Sequence, residues 1–482
     1  MQNERFGLDA WLRFEQTVNE RLVNVELHSP IEQDGNAVQA AFRPETQQRW
    51  PLSMVRVPRA TVREYGFPIR ALAEGLGLQL RAGLAPVFVH PQSRRLYRAE
   101  IARWGLTGSA LEVTPTASYR SLFARAPDGR GAVLKVSLGV SIGRVHRALR
   151  EDQISRGLLL SEVLATIPEA TRSALQFEWF AELAGLVDRK HGRGWLLRGL
   201  PPTLAQATDH TLVPAFSLIS RRDGEREPLL VELIGRSRER PELFVVKNVL
   251  GPYIRTLAYL LLCEGIEYEG HMQNVLFEVD GTQALTGKVA LRDLSDASLN
   301  LALRIARGKP LPALPRNFLP RGAPFSFVAN ASGFQVNSRR AWLSRAHDTV
   351  DRYGLHSFVW SLNRSLERFL PGYSARVVEH AYLELWQRAA IAYLGARPEL
   401  RSREPGAADA GLFMDEAIAH FLCANDWSSH ELHPSGLSAG ARALMIAGRA
   451  PRRRGKAYRA LETAWGQLFL AGNLPAFFRP AF

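Results

Sequence analysis

The stretch from 248 to 294 constrains this chain more than any other. It opens with the apolar run VLGPYIRTLAYLLLCEG, whose spacing predicts a helix over 248–265 stopped by Gly265. Six residues, EGHMQN, then place Glu269, His271, Gln273 and Asn274 side by side. A strand is predicted at 275–279, a turn at Asp280-Gly281 and a second strand at 288–294, ending in Arg292-Asp293. Helix, polar turn and hairpin in direct succession describe a site on a scaffold. As a hairpin, the strands bring Asn274 and Asp293 together. An amide oxygen beside a carboxylate offers Mg²⁺ the hard oxygen ligands it prefers against nucleotide phosphates. His271 suits a substrate carboxylate or a developing oxyanion. A buried polar turn with satisfied hydrogen bonds is the competing reading of any one of these residues.

A second set lies upstream. TPTASYRSLF at 114–123 is followed by LKVSLGVSIGRVHRAL at 134–149. On an extended segment Ser118 and Arg120, two apart, face the same way. The alternating piece predicts a strand over 131–138 with Val133, Lys135 and Ser137 on one face and Leu134, Val136 and Leu138 on the other. Arg147 follows. A hydroxyl, a guanidinium and an ammonium that converge bind a triphosphate; an edge strand with exposed cations is the plainer alternative.

Elsewhere the pattern predicts an amphipathic helix at 8–24, strands at 86–90 and 110–114, and helices at 144–165 and 170–186. A Pro- and Gly-rich connection is expected at 307–325, and mostly helix from about 340 onward. The fold class is α+β with a helical C-terminal half. With 482 residues there is material for two or three domains. No apolar run reaches the roughly 18 residues of a membrane span, and MQNERFGLDAWLRFEQ lacks the apolar core of a secretory signal. Cytoplasmic residence is the expectation. Cys263 and Cys423 are too few for a zinc or iron–sulfur site of their own.

The net charge is +14, and lysine is confined to six positions, so arginine carries the excess. Guanidinium suits carboxylates and phosphates. The densest run, Arg452-Arg453-Arg454-Gly455-Lys456, reads as a solvated face rather than a nucleic-acid surface. Walker A, kinase-type Gly-rich, G-x-S-x-G and H-E-x-x-H motifs do not occur. HMQNVL…LRDLSD echoes aminoglycoside-kinase-like enzymes but lacks their catalytic Asp shortly after the His, which leaves a kinase-like phosphotransferase as a second reading. A non-catalytic basic binding module is a third.

In this order the pieces resemble the aerobactin-type (IucA/IucC) family of NRPS-independent siderophore synthetases. The family's P-T-x-S-x-R is matched by Pro115 to Arg120. Its K-x-S-L…R is matched by Lys135, Ser137, Leu138 and Arg147, with Gly143-Arg144 where Thr-Asn is usual. E-x-H-x-Q-N is matched in full by Glu269, His271, Gln273 and Asn274, and R-D by Arg292-Asp293. Val89-His90-Pro91 matches a V-H-P segment, and Lys456-Ala457 with Gly472-Asn473-Leu474 resembles the family's close.

The resemblance implies a cupped hand: a reduced thumb over 1–37, fingers over 38–200 and a palm over 201–482. It implies ATP and Mg²⁺, adenylation of a carboxylate of citrate or a related polycarboxylic acid, and attack by an amine or alcohol with release of AMP. Ser118, Arg120 and Lys135 would then hold the triphosphate, with Lys456 at the same nucleotide. Glu269 and Gln273 would line the nucleotide pocket, Asn274 and Asp293 would serve Mg²⁺, and Arg147 and His271 would bind the acid and steady the reacting oxygen. Small-molecule substrates and the family's frequent homodimer are the implied partners, with neither nucleic acid nor membrane. One signature departs: H-P-x-H-P-x-x-K is reduced to Glu26-Leu27-His28-Ser29-Pro30-Ile31-Glu32-Gln33. Compensating arginines in a divergent synthetase, or a paralogue with weakened adenylation, are the two explanations.

Overall fold

The computed structural model describes residues 6–17, 40–46, 48–129, 131–142, 145–206, 209–221, 225–299, 304, 309–310, 327–330, 333–336 and 348–395. The expectations at 26–33, Lys456 and 472–474, and nearly all of 307–325, lie outside them. The chain divides into two compact units, the first made of 1–252, 270–296 and 360–375, the second of 253–269, 297–359 and 376–482. None of the helices described is long and apolar enough to cross a membrane.

The helices of the first unit include α1 (Gly7–Glu15), α2 (Ile69–Gly75), α3 (Arg98–Trp104), α4 (Glu151–Ala165) and α5 (Glu169–Leu175). The strands are β1 (Trp50–Pro58), β2 (Val62–Gly66), β3 (Leu84–Val89), β4 (Thr107–Pro115), β5 (Ser121–Arg125), β6 (Gly131–Val136), β7 (Ser141–Ile142), β8 (Val145–His146), β9 (Phe177–Trp179), β10 (Glu182–Asp188), β11 (Gly194–Gly199), β12 (Thr211–Pro214), β13 (Val275–Val279) and β14 (Leu285–Leu291). Among the described residues, eight form a sheet in the order β2-β10-β11-β6-β5-β4-β1-β3, paired antiparallel. Four more form a smaller sheet, β12-β13-β14-β9, in which β14 and β9 run parallel.

The alternation read in β6 is what the fold uses. Leu134 and Val136 enter a large core with Val55, Phe88 and Leu122. Val133, on the opposite face, packs with Phe123, with Leu276 and Ala290 of the smaller sheet, and with Trp11 of α1. The Trp11 ring stands 5.8 Å from those of Phe123 and Phe180. Lys135 shares the Val133 face. β6 lies inside the sheet between β5 and β11, so the edge-strand reading of Lys135 fails.

Three expected helices are corrected, and the first, expected over 8–24, ends at Glu15 with Gln16 as its cap. The 144–165 pattern becomes helix only from Glu151, because backbone bonds Leu138 N–Arg147 O (3.0 Å) and Arg147 N–Val140 O (3.1 Å) hold the preceding chain extended. The 170–186 pattern stops at Leu175, with Gln176 left-handed at φ 53°. Phe177–Trp179 then pairs with Val289–Leu291, and Glu182 opens β10. Long-range strand pairing overrode a local pattern that fits either state.

In the second unit, helical turns over Gly251–Tyr259 and Leu260–Glu264 end at Gly265, left-handed at φ 68°, as the apolar run predicts. The buried Glu264 carboxylate accepts from Arg304 NH1 (2.8 Å) and from the Tyr259 hydroxyl (2.9 Å). Tyr253 stacks on Phe358 at 4.3 Å. Helix follows over Asp348–Val359 and, from residue 376 on, in Ala375–Gly395, with strands at Phe327–Asn330 and Gly333–Val336; the helix Trp360–Phe369 belongs to the first unit.

Candidate active site

β13 and β14 form the predicted hairpin, with Val275 opposite Leu291. The pairing continues past its ends, since Arg292 N donates to Asn274 O at 3.1 Å. This fixes Asp293 as the first residue beyond the hairpin. Its φ of +64° is one that residues with a side chain rarely adopt.

Lys135 reaches across from β6 and donates to Asp293 Oδ1. Arg198 of β11 donates to the same oxygen at 2.7 Å, and its Nε donates to Glu182 Oε1 at 3.1 Å. The side chains of Lys135, Arg198 and Glu182 are 0–3 % exposed, whereas Asp293 keeps 21 %. Asp293 is therefore the member of this network that solvent reaches. Both bonds to Asp293 go to Oδ1; among the described residues none reaches Oδ2.

The electrostatics follow from burial and pairing. Burial alone would push the Asp293 carboxyl up, but the charges of Lys135 and Arg198 outweigh it and hold the carboxyl well below its usual range. Burial pulls Lys135 down against the attraction of Asp293. Burial raises Glu182, with Arg198 opposing. Burial opposes the Arg198 charge as well, yet the two carboxylates overcompensate and its pKa rises. Arg120 adds a third positive field at Lys135 and Asp293. Asp296 adds a third carboxylate near Lys135, so Lys135, Arg198 and Arg120 stand against Asp293, Glu182 and Asp296 in a desolvated, charge-dense cluster.

Ser118 and Arg120 sit in a tight turn joining β4 and β5, closed by Ser121 N donating to Ser118 O at 3.0 Å. They are thus not on an extended segment, and a shared strand face is not what relates them; Thr116 also bonds Ser121 O, which folds the chain back at once. Arg120 is 6 % exposed and donates to the Arg147 carbonyl at 2.9 Å, so two of the predicted cations are tied together through backbone. The Gln273 side chain donates to Ala117 O at 3.1 Å, which fastens the EGHMQN stretch to the same turn. His271 Nδ1 accepts the Gln273 N–H at 3.3 Å. Nε2 lies 3.2 Å from the Asn274 side-chain amide. Glu269 belongs to the second unit, where Oε1 accepts from the Tyr353 hydroxyl at 2.6 Å.

Three participants were not singled out from sequence: Arg198, Glu182 and Glu15. Glu15 closes α1 onto the site. Its Oε1 accepts from Trp11 Nε1 (2.8 Å) and Arg292 NH1, and its Oε2 from Ala117 N (3.0 Å). The odd polar residue in the apolar frames of α1 and β10 was the available signal for Glu15 and Glu182.

Residues 34–220 match the model of the IucA / IucC family. Among solved structures the chain is similar to petrobactin biosynthesis protein AsbB from Bacillus anthracis str. Sterne, at 13% identity and a TM-score of 0.56 over 74% of this chain and 62% of that one. It is also similar to aerobactin synthetase IucC from a hypervirulent pathotype of Klebsiella pneumoniae, at 15% identity and a TM-score of 0.50 over 74% of this chain and 64% of that one. The chain thus spans somewhat under two thirds of each, and at these identities the likeness is one of fold. No curated protein matches the chain in sequence. Over 34–220 the sequence thus matches the IucA / IucC family, and the α+β fold is similar to that of the two synthesis proteins.

Proposed function

We propose that this chain is an ATP-dependent siderophore synthetase. It adenylates a carboxylate of citrate or a related polycarboxylic acid and joins the acid to an amine or alcohol, releasing AMP and pyrophosphate. The observation that carries the reading is the Lys135–Asp293 pair, set in a buried cluster of cations and carboxylates within unit 1 that also holds the His271–Asn274 turn. The two similar structures, a petrobactin biosynthesis protein and an aerobactin synthetase, point the same way.

In the first step a carboxylate oxygen of the acid attacks the α-phosphorus and the bond to pyrophosphate breaks. An anion must approach an anion, so cations and positioning supply the catalysis. Lys135, Arg120 and Ser118 hold the triphosphate; Gln273, Glu269 and Lys456 hold the nucleotide. Arg147 and His271 bind the acid and steady the reacting oxygen. In the second step the amine nitrogen or alcohol oxygen attacks the acyl carbon, the bond to AMP breaks, and the nucleophile loses its proton to solvent. No side-chain nucleophile is required. This reading keeps the division into thumb (1–37), fingers (38–200) and palm (201–482).

The donor set fits Mg²⁺. Asp293 Oδ2 and the Asn274 amide oxygen are hard ligands, and Oδ2 carries no hydrogen bond from the described residues. The ion would supply charge neutralisation at the phosphates. The test is an acid-by-amine matrix with ATP, read by mass spectrometry. AMP together with an amide or ester product supports the reading. ADP and a phosphorylated product would replace it with phosphoryl transfer.

A further inference from the structure

Arg198 and Glu182 lie outside every motif that points to the site, yet they complete the setting of Asp293. Arg198 is shared between the two carboxylates: NH2 donates to Asp293 Oδ1 (2.7 Å) and Nε to Glu182 Oε1 (3.1 Å). Glu182 Oε1 also accepts the Leu294 N–H at 3.1 Å. Glu182 therefore grips both the counter-ion of Asp293 and the backbone that follows it. That backbone needs gripping, because a non-glycine residue at φ +64° costs on the order of 1 kcal/mol or more unless its surroundings hold it.

Helix α4 is shaped to leave Glu182 in place. Ser161 Oγ accepts the Glu182 N–H at 2.7 Å. At Gly157 an added Cβ would stand 2.3 Å from Glu182 Oε2, so the helix can approach the carboxylate only because residue 157 has no side chain.

The consequence concerns Asp293 when a nucleotide arrives. Lys135 has two candidate anions, Asp293 and a phosphate, and a carboxylate held by Lys135 alone would lose its anchor when the phosphate took the ammonium. Arg198 is tied back to Glu182 and does not face that competition. We propose that Glu182 and Arg198 are positioning residues that keep Asp293 Oδ1 anchored, and Oδ2 left for a divalent cation, after Lys135 passes to the nucleotide. The inference rests on the reading of Asp293 as a metal ligand.

The experiment combines crystallography with kinetics on three variants: Arg198→Lys, Gly157→Ala, and the double Glu182→Gln/Arg198→Met. The double variant removes both buried charges together, which avoids stranding one of them. The expected crystallographic result is an Asp293 that has left its φ or its side-chain orientation in the double variant, with the sheet unchanged. The expected kinetic result is a KM for Mg²⁺ raised by about 10–100-fold, while the KM for ATP at saturating Mg²⁺ stays within about twofold of wild type. Arg198→Lys restores part of the loss. Gly157→Ala, which touches neither Asp293 nor Lys135, moves Glu182 and produces a smaller rise. An Asp293 unmoved in every variant, or an unchanged KM for Mg²⁺, overturns the inference. If the double variant does not fold, the two single variants decide by the same criteria. If wild-type protein forms no AMP with any acid, the proposed function falls, and the crystallographic arm still decides whether Arg198 and Glu182 position Asp293.

Discussion

Lys135 and Asp293, 158 positions apart in the chain, meet in an ion pair whose lysine is fully buried. The pair joins the central strand of the large sheet to the end of the hairpin. Replacing Lys135 with Met keeps the stem and removes the charge. Asp293 retains Arg198 and its exposed edge, so the fold should survive. Loss of one preorganised cation at a reacting phosphate costs about 10²–10³-fold in turnover. AMP formation measured beside the circular dichroism spectrum checks this. An active Lys135→Met protein would remove Lys135 from the triphosphate.

Gln273 ties two predicted motifs through a single hydrogen bond to Ala117 O. Gln273→Leu keeps the size and deletes the donor. A hydrogen bond of this kind is worth about 0.5–1.5 kcal/mol, which predicts a rise of roughly two- to tenfold in the KM for ATP with kcat little altered. A nucleotide titration of the variant reads it. A change confined to kcat would place Gln273 at the reacting atoms instead.

Glu15 joins α1, the β4–β5 turn and Arg292. Glu15→Ala strands the Arg292 guanidinium, which is 9 % exposed, and unfastens Trp11 and Ala117. Breaking a buried pair from one side costs about 3–5 kcal/mol. Chemical denaturation should show that loss. Glu15→Gln, which keeps an acceptor for one or two of the three donors, should fall between. Equal stability of Glu15→Ala and wild type would mean that α1 is held by Trp11 packing alone.

The motifs that bind within one strand or one turn were legible in sequence. β6 was read from its alternation, the hairpin from Asp280-Gly281, and the stop at Gly265 from the glycine that adopts φ 68°. Residue type and order in the sequence point to Lys135 and Asp293. Their direct contact is not legible there, because β11 and β14 must first be placed beside β6 and β9, and those pairings are long-range. Arg198 and Glu182 stayed hidden for the same reason: each is an ordinary charged residue in a strand until the register sets it against Asp293. The FEWFAELAGLV segment failed in the opposite direction, since its apolar spacing satisfies a helix locally and two strands globally.

His90 gives a prediction in the pH domain. Burial among Phe42 and Trp50, whose rings lie 5.4 and 5.0 Å away, pulls its pKa from 6.5 down to about 3. Its Nδ1 accepts the Gln92 N–H at 3.2 Å, a bond that only the unprotonated nitrogen makes. The folded protein thus keeps His90 neutral where the unfolded chain takes up a proton. Stability from this residue is fully present above about pH 6.5 and declines as pH falls toward about 3, by at most about 1.4 kcal/mol per pH unit. His90→Asn offers a side-chain oxygen to the Gln92 N–H and has nothing to titrate. The two proteins should have denaturation midpoints that run parallel above about pH 7 and converge or cross on the acid side, wild type falling faster. Parallel curves throughout would mean that the folded protein accepts the proton on His90, and that the aromatic cage around it opens to water.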